Sequence, residues 1–215
     1  AVDVAIVGAG IAGLVAAREL AAAGCGVVVL EKSRGVGGRM ATRRLGQAVC
    51  DHGAQFFTVR GRAFGGIVTE AHGAGAVRQW CDGFSRATAN GGGMLPPGDG
   101  HPRWRGTSGM TDLPKHLAAA LDGDRASLRC NTKVASIGVR DGRARLALDD
   151  GAVIDAAGAI LTAPVPQSLD LMAAGGMMAP GAAAIDGDAQ RKLSAIDYDP
   201  CFALMLVLAQ PSRVP

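Results

Sequence analysis

A glycine pattern between an apolar strand and a helix constrains this chain more than any other feature. Residues 2–7 are apolar and mostly β-branched, which predicts a buried parallel strand, and residues 11–23 are predicted to form a helix. Gly8, Gly10 and Gly13 in the turn between them make a G-x-G-x-x-G pattern. The pattern predicts a tight turn at Gly8, approach of a pyrophosphate to the backbone of Gly10, and close packing of the helix on the sheet at Gly13.

The next strand brings an acidic residue to this turn. Residues 27–30 are predicted to form a second apolar strand, and Glu31 follows it, 18 positions after Gly13. A carboxylate there can accept hydrogen bonds from ribose hydroxyls, while free N–H groups at the helix N-terminus attract phosphates. The sequence therefore predicts an α/β fold with a doubly wound, Rossmann-like domain. Its dinucleotide site is predicted to include Gly8, Gly10, Ile11, Ala12, Gly13, Glu31 and Lys32.

Three further segments resemble one group of flavoproteins. Residues 37–42 read GGRMAT, residues 51–58 read DHGAQFFT and residues 104–110 read WRGTSGM. The first resembles the Gly-Gly-Arg signature of the FAD-dependent amine oxidase superfamily, the second resembles that family's segment beside the flavin ring, and the third is similar to another family block. Taken together, the segments most resemble the renalase-like bacterial branch, and the resemblance extends over residues 2–208.

The resemblance implies FAD as the cofactor and adds residues to the predicted site. In the family, the matching arginine can pair with the pyrophosphate, and the stretch matching Val134 touches the adenine side through backbone groups. Val134 can also be a β-branched core residue, and both roles can hold at once. His52 is a candidate for acid–base chemistry, although a lone histidine is also typical of a structural donor. The residues that the resemblance adds are Gly38, Arg39, Met40, Gln55, Phe56, Val134 and Thr162.

The predicted domain organisation has a β-rich substrate domain inserted into the FAD-binding domain. The FAD-binding domain is predicted to comprise residues 1–59 and 105–164, and the substrate domain residues 60–104 and 165–215. The family's flavin domain is closed by a C-terminal segment that carries another FAD-contacting motif and a final helix. Nothing after residue 208 resembles that segment, so we expect a chain that is shortened at its C-terminus.

The later strands are predicted from turn signals and apolar runs. Asp141 and Gly142 predict a hairpin of strands at residues 132–140 and 143–149. Two short strands are predicted at residues 152–155 and 159–164, and a continuous apolar strand at residues 201–208.

Composition narrows the class of protein. The 215 residues are 48% hydrophobic and 19% charged, which is typical of a globular protein. A net charge of +3 with scattered arginines argues against a nucleic-acid partner. The five cysteines are odd in number and form no C-x-x-C pair, so neither a disulfide framework nor a zinc site is expected, and reduced thiols predict a cytoplasmic protein. The longest apolar run, residues 201–209, is shorter than the roughly 20 residues of a membrane helix.

These features predict an FAD-dependent oxidoreductase that transfers a hydride from a small molecule to flavin, with oxygen as the final acceptor. The resemblance implies an amine or a misreduced dihydro-NAD(P) isomer as substrate, and we favour the dihydronicotinamide. A non-catalytic nucleotide-binding module is the alternative that the expected truncation suggests. A nicotinamide-dependent dehydrogenase would use the same residues 8–31, but the Gly-Gly-Arg signature argues against it.

Overall fold

The computed structural model describes residues 2–87, 94–95, 100–121, 123, 125–178 and 185–210. A glycine–proline loop predicted at residues 90–100 lies almost wholly outside the described residues. The elements in chain order are β1 (Val2–Val7), α1 (Ile11–Ala22), β2 (Val27–Leu30), β3 (Thr42–Leu45), β4 (Ala48–Asp51), α2 (Arg62–Gly73), β5 (Val77–Cys81), β6 (Arg86–Ala87), β7 (Met94–Leu95), β8 (Arg103–Gly106), α3 (Asp112–Ala119), β9 (Ala126–Arg129), β10 (Val134–Arg140), β11 (Arg143–Leu148), β12 (Val153–Leu161), α4 (Val165–Ala174) and α5 (Gly187–Ser194).

A six-stranded mixed sheet has the strand order β10-β11-β12-β1-β2-β9. Strands β12, β1, β2 and β9 are parallel to one another, whereas β10 and β11 are antiparallel to their neighbours. Strands β1 and β2 lie side by side and are connected by α1, which contacts β1, β2 and β9. This arrangement matches the β–α–β unit that the glycine pattern predicts.

Both faces of the parallel strands are covered. Ala5 and Ile6 are buried in β1, and Val28 and Val29 are buried in β2. Because successive side chains of a strand point to opposite faces, burial of adjacent residues requires packing on both sides of the sheet. The predicted α/β, Rossmann-like fold class is therefore confirmed.

One face of the sheet carries a hydrophobic cluster that includes α4, which packs on β10. Gly175, at the end of α4, lies so close to the backbone of β10 that a Cβ there would overlap the carbonyl oxygen of Ile137. The cluster brings together Ala5, Val7, Val28, Leu30, Val134, Ile137, Leu146, Leu148, Ile154, Ala156 and Met172.

The antiparallel end of the sheet begins with the predicted hairpin. Asp141 and Gly142 connect β10 and β11, and both have positive φ angles, 52° and 72°. Two successive positive φ angles are the signature of a tight hairpin turn whose twist matches that of the strands. The turn prediction at these two residues is confirmed.

Strand β12 is longer than the sequence indicates. We predicted separate strands at residues 152–155 and 159–164, but Val153–Leu161 is one continuous strand. Its first half pairs antiparallel with β11, and its second half pairs parallel with β1. Ala156 pairs with both neighbouring strands, and pairing on two sides keeps the backbone extended through the predicted gap.

Contacts divide the chain into two compact units. The first comprises Ala1–Gly38 and Leu117–Cys201, and the second comprises Arg39–His116 and Phe202–Pro215. These boundaries differ from the four predicted segments, since residues 39–59 fall in the second unit and residues 165–201 in the first. Because the units are defined by contacts and not by function, the predicted division into FAD-binding and substrate domains stays a prediction.

The second unit contains short strand pairs and a helix. Strands β3 and β4 form a hairpin, and β5 pairs antiparallel with β8. Phe57 and Trp104 exchange two backbone hydrogen bonds, each 2.9 Å between nitrogen and oxygen. Helix α2 buries Val68 and Ala71, consistent with the apolar pattern of its sequence.

The prediction of an apolar strand at residues 201–208 is wrong. The structure has no strand there, and the side chains of Phe202 and Leu204 are 94% and 83% exposed. A strand is stabilised by pairing, and no strand partner of this segment exists among the described residues.

Within the described part of the chain, no helix has the length and apolar character needed to span a bilayer.

Candidate cofactor site

Gly8 occupies the tight turn between β1 and α1. Its N–H donates a hydrogen bond to the carbonyl of Leu30 at 2.8 Å, and its φ angle is +108°. A Cβ at this position would lie 2.6 Å from Thr162 Oγ1. Both the left-handed backbone and the close hydroxyl therefore require glycine here.

Gly13 lets helix α1 approach that turn. A Cβ on Gly13 would overlap the carbonyl oxygen of Gly8 and would lie 3.0 Å from Thr162 Oγ1. The obstacle is backbone, which cannot move aside as a flexible side chain can. The predicted role of Gly13 in close packing agrees with this geometry.

Gly10 differs from the other two glycines. Its backbone angles, φ −74° and ψ 177°, are accessible to any residue, and a Cβ added to it would meet no atom within 4 Å. Gly10 lies beside the next glycine segment, where it forms a parallel bridge with Gly37 and where a Cβ on Gly38 would be 3.5 Å from the Gly10 Cα. The protein's own packing therefore does not require glycine at position 10, and the space beside it is free for a ligand.

Helix α1 begins at this open space without a side-chain cap, since Gly10 is its N-cap residue. The N–H groups of Ile11, Ala12 and Gly13 are in the first turn, where a helix has no internal acceptors for them. Ile11 is half-buried and Ala12 is exposed. A helix N-terminus of this kind stabilises phosphate groups through its N–H groups and its dipole.

Glu31 is held rigidly at the end of β2. It is 8% exposed, and its two carboxylate oxygens accept hydrogen bonds from the N–H groups of Ala9 and Ser33, each at 2.8 Å. A carboxylate has about four lone-pair sites, so each oxygen retains capacity for a ribose hydroxyl. The position fits the predicted role, and ribose binding by Glu31 stays a prediction.

Cys130 lies beside this carboxylate and was missed at the sequence level. Burial, and next the negative charge of Glu31, raise the pKa of the Cys130 thiol above its ordinary value of 9.0. The thiol is therefore neutral near pH 7. Lys32 is exposed, and its Nζ donates a hydrogen bond to Gln167 Oε1 at 3.1 Å. No sequence signal joined Cys130 to Glu31, because the two residues follow different strands, β9 and β2, that are distant in the chain.

Val134 and Thr162 have internal contacts in the first unit. The Val134 side chain belongs to the hydrophobic cluster, as its core interpretation predicts, and a backbone contact with adenine stays a prediction. Thr162 Oγ1 lies 3.0 Å from the carbonyl oxygen of Val7 and 3.1 Å from that of Gly8, and donates to them. The hydroxyl therefore fixes the glycine turn.

Arg39 and Met40 belong to the second unit. The Arg39 side chain is exposed, whereas Met40 is buried. The Arg39 carbonyl accepts a hydrogen bond from the Ala54 N–H at 2.8 Å, and a Cβ on Gly53 would overlap that carbonyl oxygen. The Gly-Gly-Arg segment and the segment at residues 51–58, which the resemblance places on the same cofactor, are thus in direct backbone contact.

Phe56 forms part of an aromatic cluster in the second unit. Its ring centre is 5.0 Å from that of Phe84, and the Arg103 guanidinium lies 5.4 Å from the Phe56 ring centre. Gln55 and His52 are both exposed. Phe56 is half-buried, and whether its ring lines a flavin pocket stays a prediction, as do the roles of Gln55 and His52.

The residues of the first unit fit the phosphate and ribose end of FAD. The open space at Gly10, the uncapped helix and the fixed Glu31 carboxylate each match a group of an ADP moiety. Within the described residues, no group of three or more His, Cys, Asp and Glu side chains could hold a metal ion.

Comparison with known proteins agrees with this geometry. Residues 6–68 match a family model described as an NAD(P)-binding Rossmann-like domain, and residues 74–212 match one described as flavin containing amine oxidoreductase. The alignment with a putrescine oxidase solved with putrescine bound has a TM-score of 0.60 and 16% sequence identity. It covers 79% of this chain and 59% of the oxidase chain. This chain therefore spans about three fifths of the length of that oxidase.

Two other solved structures have the same fold. A Pyrococcus furiosus protein has a TM-score of 0.67 and 15% identity, over 91% of this chain and 66% of its own. A fatty acid isomerase from P. acnes that produces CLA has a TM-score of 0.62 and 15% identity, over 90% of this chain and 63% of its own. The second family model matches more than half of the chain and carries the flavin cofactor in its description. The chain belongs to the flavin containing amine oxidoreductase family, and its cofactor is FAD, as the sequence predicts.

Proposed function

We propose that this protein is an FAD-dependent oxidoreductase of the renalase-like branch, which oxidises a small molecule by hydride transfer to flavin with oxygen as the acceptor. We further propose that it works in the cytoplasm. The observation that carries the proposal is the open space at Gly10. Glycine there is explained neither by backbone angle nor by internal contacts, but it is explained by a pyrophosphate that approaches the backbone.

The chain's own residues would bind and orient the cofactor. Glu31 would accept hydrogen bonds from the ribose, the first turn of α1 would bind the phosphates, and Arg39 would pair with the pyrophosphate. Phe56 would pack beside the flavin ring. FAD, when bound, supplies an acceptor for the hydride and its two electrons. A reaction of this kind needs few acid–base side chains, consistent with the lack of a triad or paired carboxylates in the sequence.

Charge supports a dihydronicotinamide dinucleotide over an amine as substrate. Residues 39–116 contain ten arginine and lysine residues against five aspartate and glutamate residues, a net charge of +5. Among these residues, the Arg105 guanidinium lies 5.7 Å from the Trp80 ring centre. An excess of positive charge attracts the phosphates of a dinucleotide and repels an ammonium group. The putrescine oxidase with bound putrescine keeps amines as the second class to be tested.

A visible absorption spectrum of the purified protein, before and after heat release of its cofactor, is the first test. We expect oxidised-flavin bands that appear in the released fraction, and a mass spectrum that identifies FAD. A colourless protein that takes up no added FAD would refute the proposal. Tight NAD binding without flavin would instead indicate a nicotinamide-dependent dehydrogenase.

The substrate class is tested next, by oxygen uptake with dihydro-NAD(P) isomers and with amines. We expect turnover with a dihydronicotinamide and a KM that rises with salt, because the attraction to phosphates is screened. Turnover with amines alone would refute the proposed substrate class. FAD binding without any turnover would indicate a non-catalytic nucleotide-binding module.

A further inference from the structure

Three side chains of the second unit form a hydrogen-bonded cluster that the family resemblance does not explain. Thr42 Oγ1 donates to Asp51 Oδ1 at 2.6 Å, and the same carboxylate oxygen accepts the N–H of Met110 at 2.9 Å. The backbone N–H of Thr111 donates to Thr42 Oγ1 at 3.0 Å, and that of Thr42 donates to Thr111 Oγ1 at 2.6 Å. We refer to Thr42, Asp51 and Thr111 as the threonine–aspartate cluster.

The carboxylate of Asp51 sets the direction of these bonds, because a carboxylate oxygen accepts hydrogen bonds and does not donate them. The Thr42 hydroxyl must therefore give its proton to Asp51 and accept the N–H of Thr111. The Thr111 hydroxyl accepts the N–H of Thr42 and donates to the carbonyl of Met40 at 3.3 Å. Each hydroxyl is thus both donor and acceptor, which leaves little freedom for an alternative arrangement.

The cluster fixes backbone groups next to Arg39. Thr111 holds the Met40 carbonyl and the Thr42 N–H, while Ala54 holds the Arg39 carbonyl. Close packing reinforces these bonds, since a Cβ on Gly109 would lie 2.7 Å from Thr42 Oγ1. The Arg39 side chain, which is exposed, extends from a backbone whose C-terminal side is held by these bonds.

We propose that the threonine–aspartate cluster positions the Arg39–Met40 backbone for FAD, so that Thr42, Asp51 and Thr111 are positioning residues of the cofactor site. This inference rests on the proposed function, in which Arg39 pairs with the pyrophosphate. The cluster fixes the backbone from which the Arg39 side chain extends before the cofactor binds, and preorganisation of this kind lowers the entropic cost of binding.

The test compares two threonine-to-valine variants of the second unit. Thr111→Val removes the hydroxyl that holds the Met40 carbonyl. Thr107→Val removes a hydroxyl that donates to the Gly75 carbonyl at 2.6 Å, so it loses a bond of the same kind outside the cluster. FAD affinity is measured by quenching of flavin fluorescence, and thermal unfolding is measured without FAD. We expect Thr111→Val to weaken FAD binding at least about fivefold, Thr111→Ser to restore it, and Thr107→Val to bind FAD as the wild type does.

Equal FAD affinity of Thr111→Val and the wild type would overturn the inference and leave the proposed function intact, whereas a wild type that binds no FAD would overturn both. A second measurement needs no variant and covers the case in which Thr111→Val does not fold. In the wild-type protein we expect added FAD to slow hydrogen exchange at the N–H groups of Thr42 and Thr111. Unchanged exchange at both amides, with FAD bound, would also overturn the inference.

Discussion

Substitutions at Gly10 and Gly13 distinguish a glycine that the ligand requires from a glycine that the fold requires. A Cβ at Gly10 meets no atom within 4 Å, whereas a Cβ at Gly13 would overlap the carbonyl oxygen of Gly8. The two positions lie in the same turn and in the same motif. Gly10→Val should therefore weaken FAD binding strongly and preserve the fold, and Gly13→Ala should damage the fold itself.

The magnitudes follow from the geometry. At Gly10, a side chain reduces the entropy of the unfolded chain, which stabilises by about 0.4–1 kcal/mol. Loss of a favourable N-cap residue costs about the same, so the free energy of unfolding should change by less than about 1 kcal/mol. At Gly13, the overlap is with backbone, and we expect a loss of about 3 kcal/mol or more. Loss of two charge-assisted bonds to phosphate at Gly10, each about 1.5–3 kcal/mol, would weaken FAD binding by about 100-fold or more.

The assay is urea unfolding of the apoprotein together with FAD titration of each variant. Gly10→Ala serves as the smaller perturbation and should keep the fold while weakening binding to a lesser degree. A Gly10→Val protein that binds FAD with wild-type affinity would refute the assignment of the open space to the cofactor. A Gly10→Val protein that unfolds as readily as Gly13→Ala would show that the space is not open.

Three further predictions concern other parts of the chain. Glu31→Ala should weaken FAD binding by about 1–3 kcal/mol and lower stability, because buried donors including the Ala9 N–H lose their acceptor. Glu31→Gln should keep more of the affinity and more of the stability. An unchanged FAD affinity of Glu31→Ala in titrations would mean that Glu31 does not face the cofactor. Because the Cys130 pKa is raised, its thiolate is scarce at neutral pH, and mass spectrometry should show rapid iodoacetamide labelling only above pH 9.0; a labelling midpoint below that value would contradict the assigned environment. Leu206 is 67% exposed in an uncharged apolar segment, so we expect the protein to self-associate and Leu206→Lys to reduce the particle size measured by light scattering. An unchanged particle size would count against that exposure.

The first β–α–β unit could be predicted closely because its signals are local. Strands β1 and β2 begin and end where the apolar runs do, and α1 ends within one residue of its predicted end. Gly8 and Gly13 were assigned their roles from spacing alone, and the contacts of both agree with those roles. The signals of this unit lie within residues 2–31, so the sequence contains the whole pattern, although the Thr162 hydroxyl that packs against Gly8 and Gly13 comes from far along the chain.

The failures depend on partners that lie far away in the chain. Residues 201–208 have strand-forming composition, but composition does not show whether a strand is available to pair with them. The length of β12 follows from its pairing with β11 on one half and with β1 on the other. Pairing between distant segments therefore explains both failures: its presence lengthens β12, and its absence among the described residues leaves residues 201–208 without a strand.

The bonds of the threonine–aspartate cluster could not be predicted from the sequence, because they join residues that are far apart in the chain. Thr42 and Thr111 are 69 positions apart, and neither belongs to a motif that assigns a side-chain role. Threonine and aspartate are also common surface residues, so no hydrophobic period marks them. These hydrogen bonds form only when the fold brings together β3, the end of β4 and the turn before α3. We infer that the first β–α–β unit is specified mainly by local sequence, whereas the bonds that hold the Arg39–Met40 backbone depend on contacts between residues that are distant in the chain.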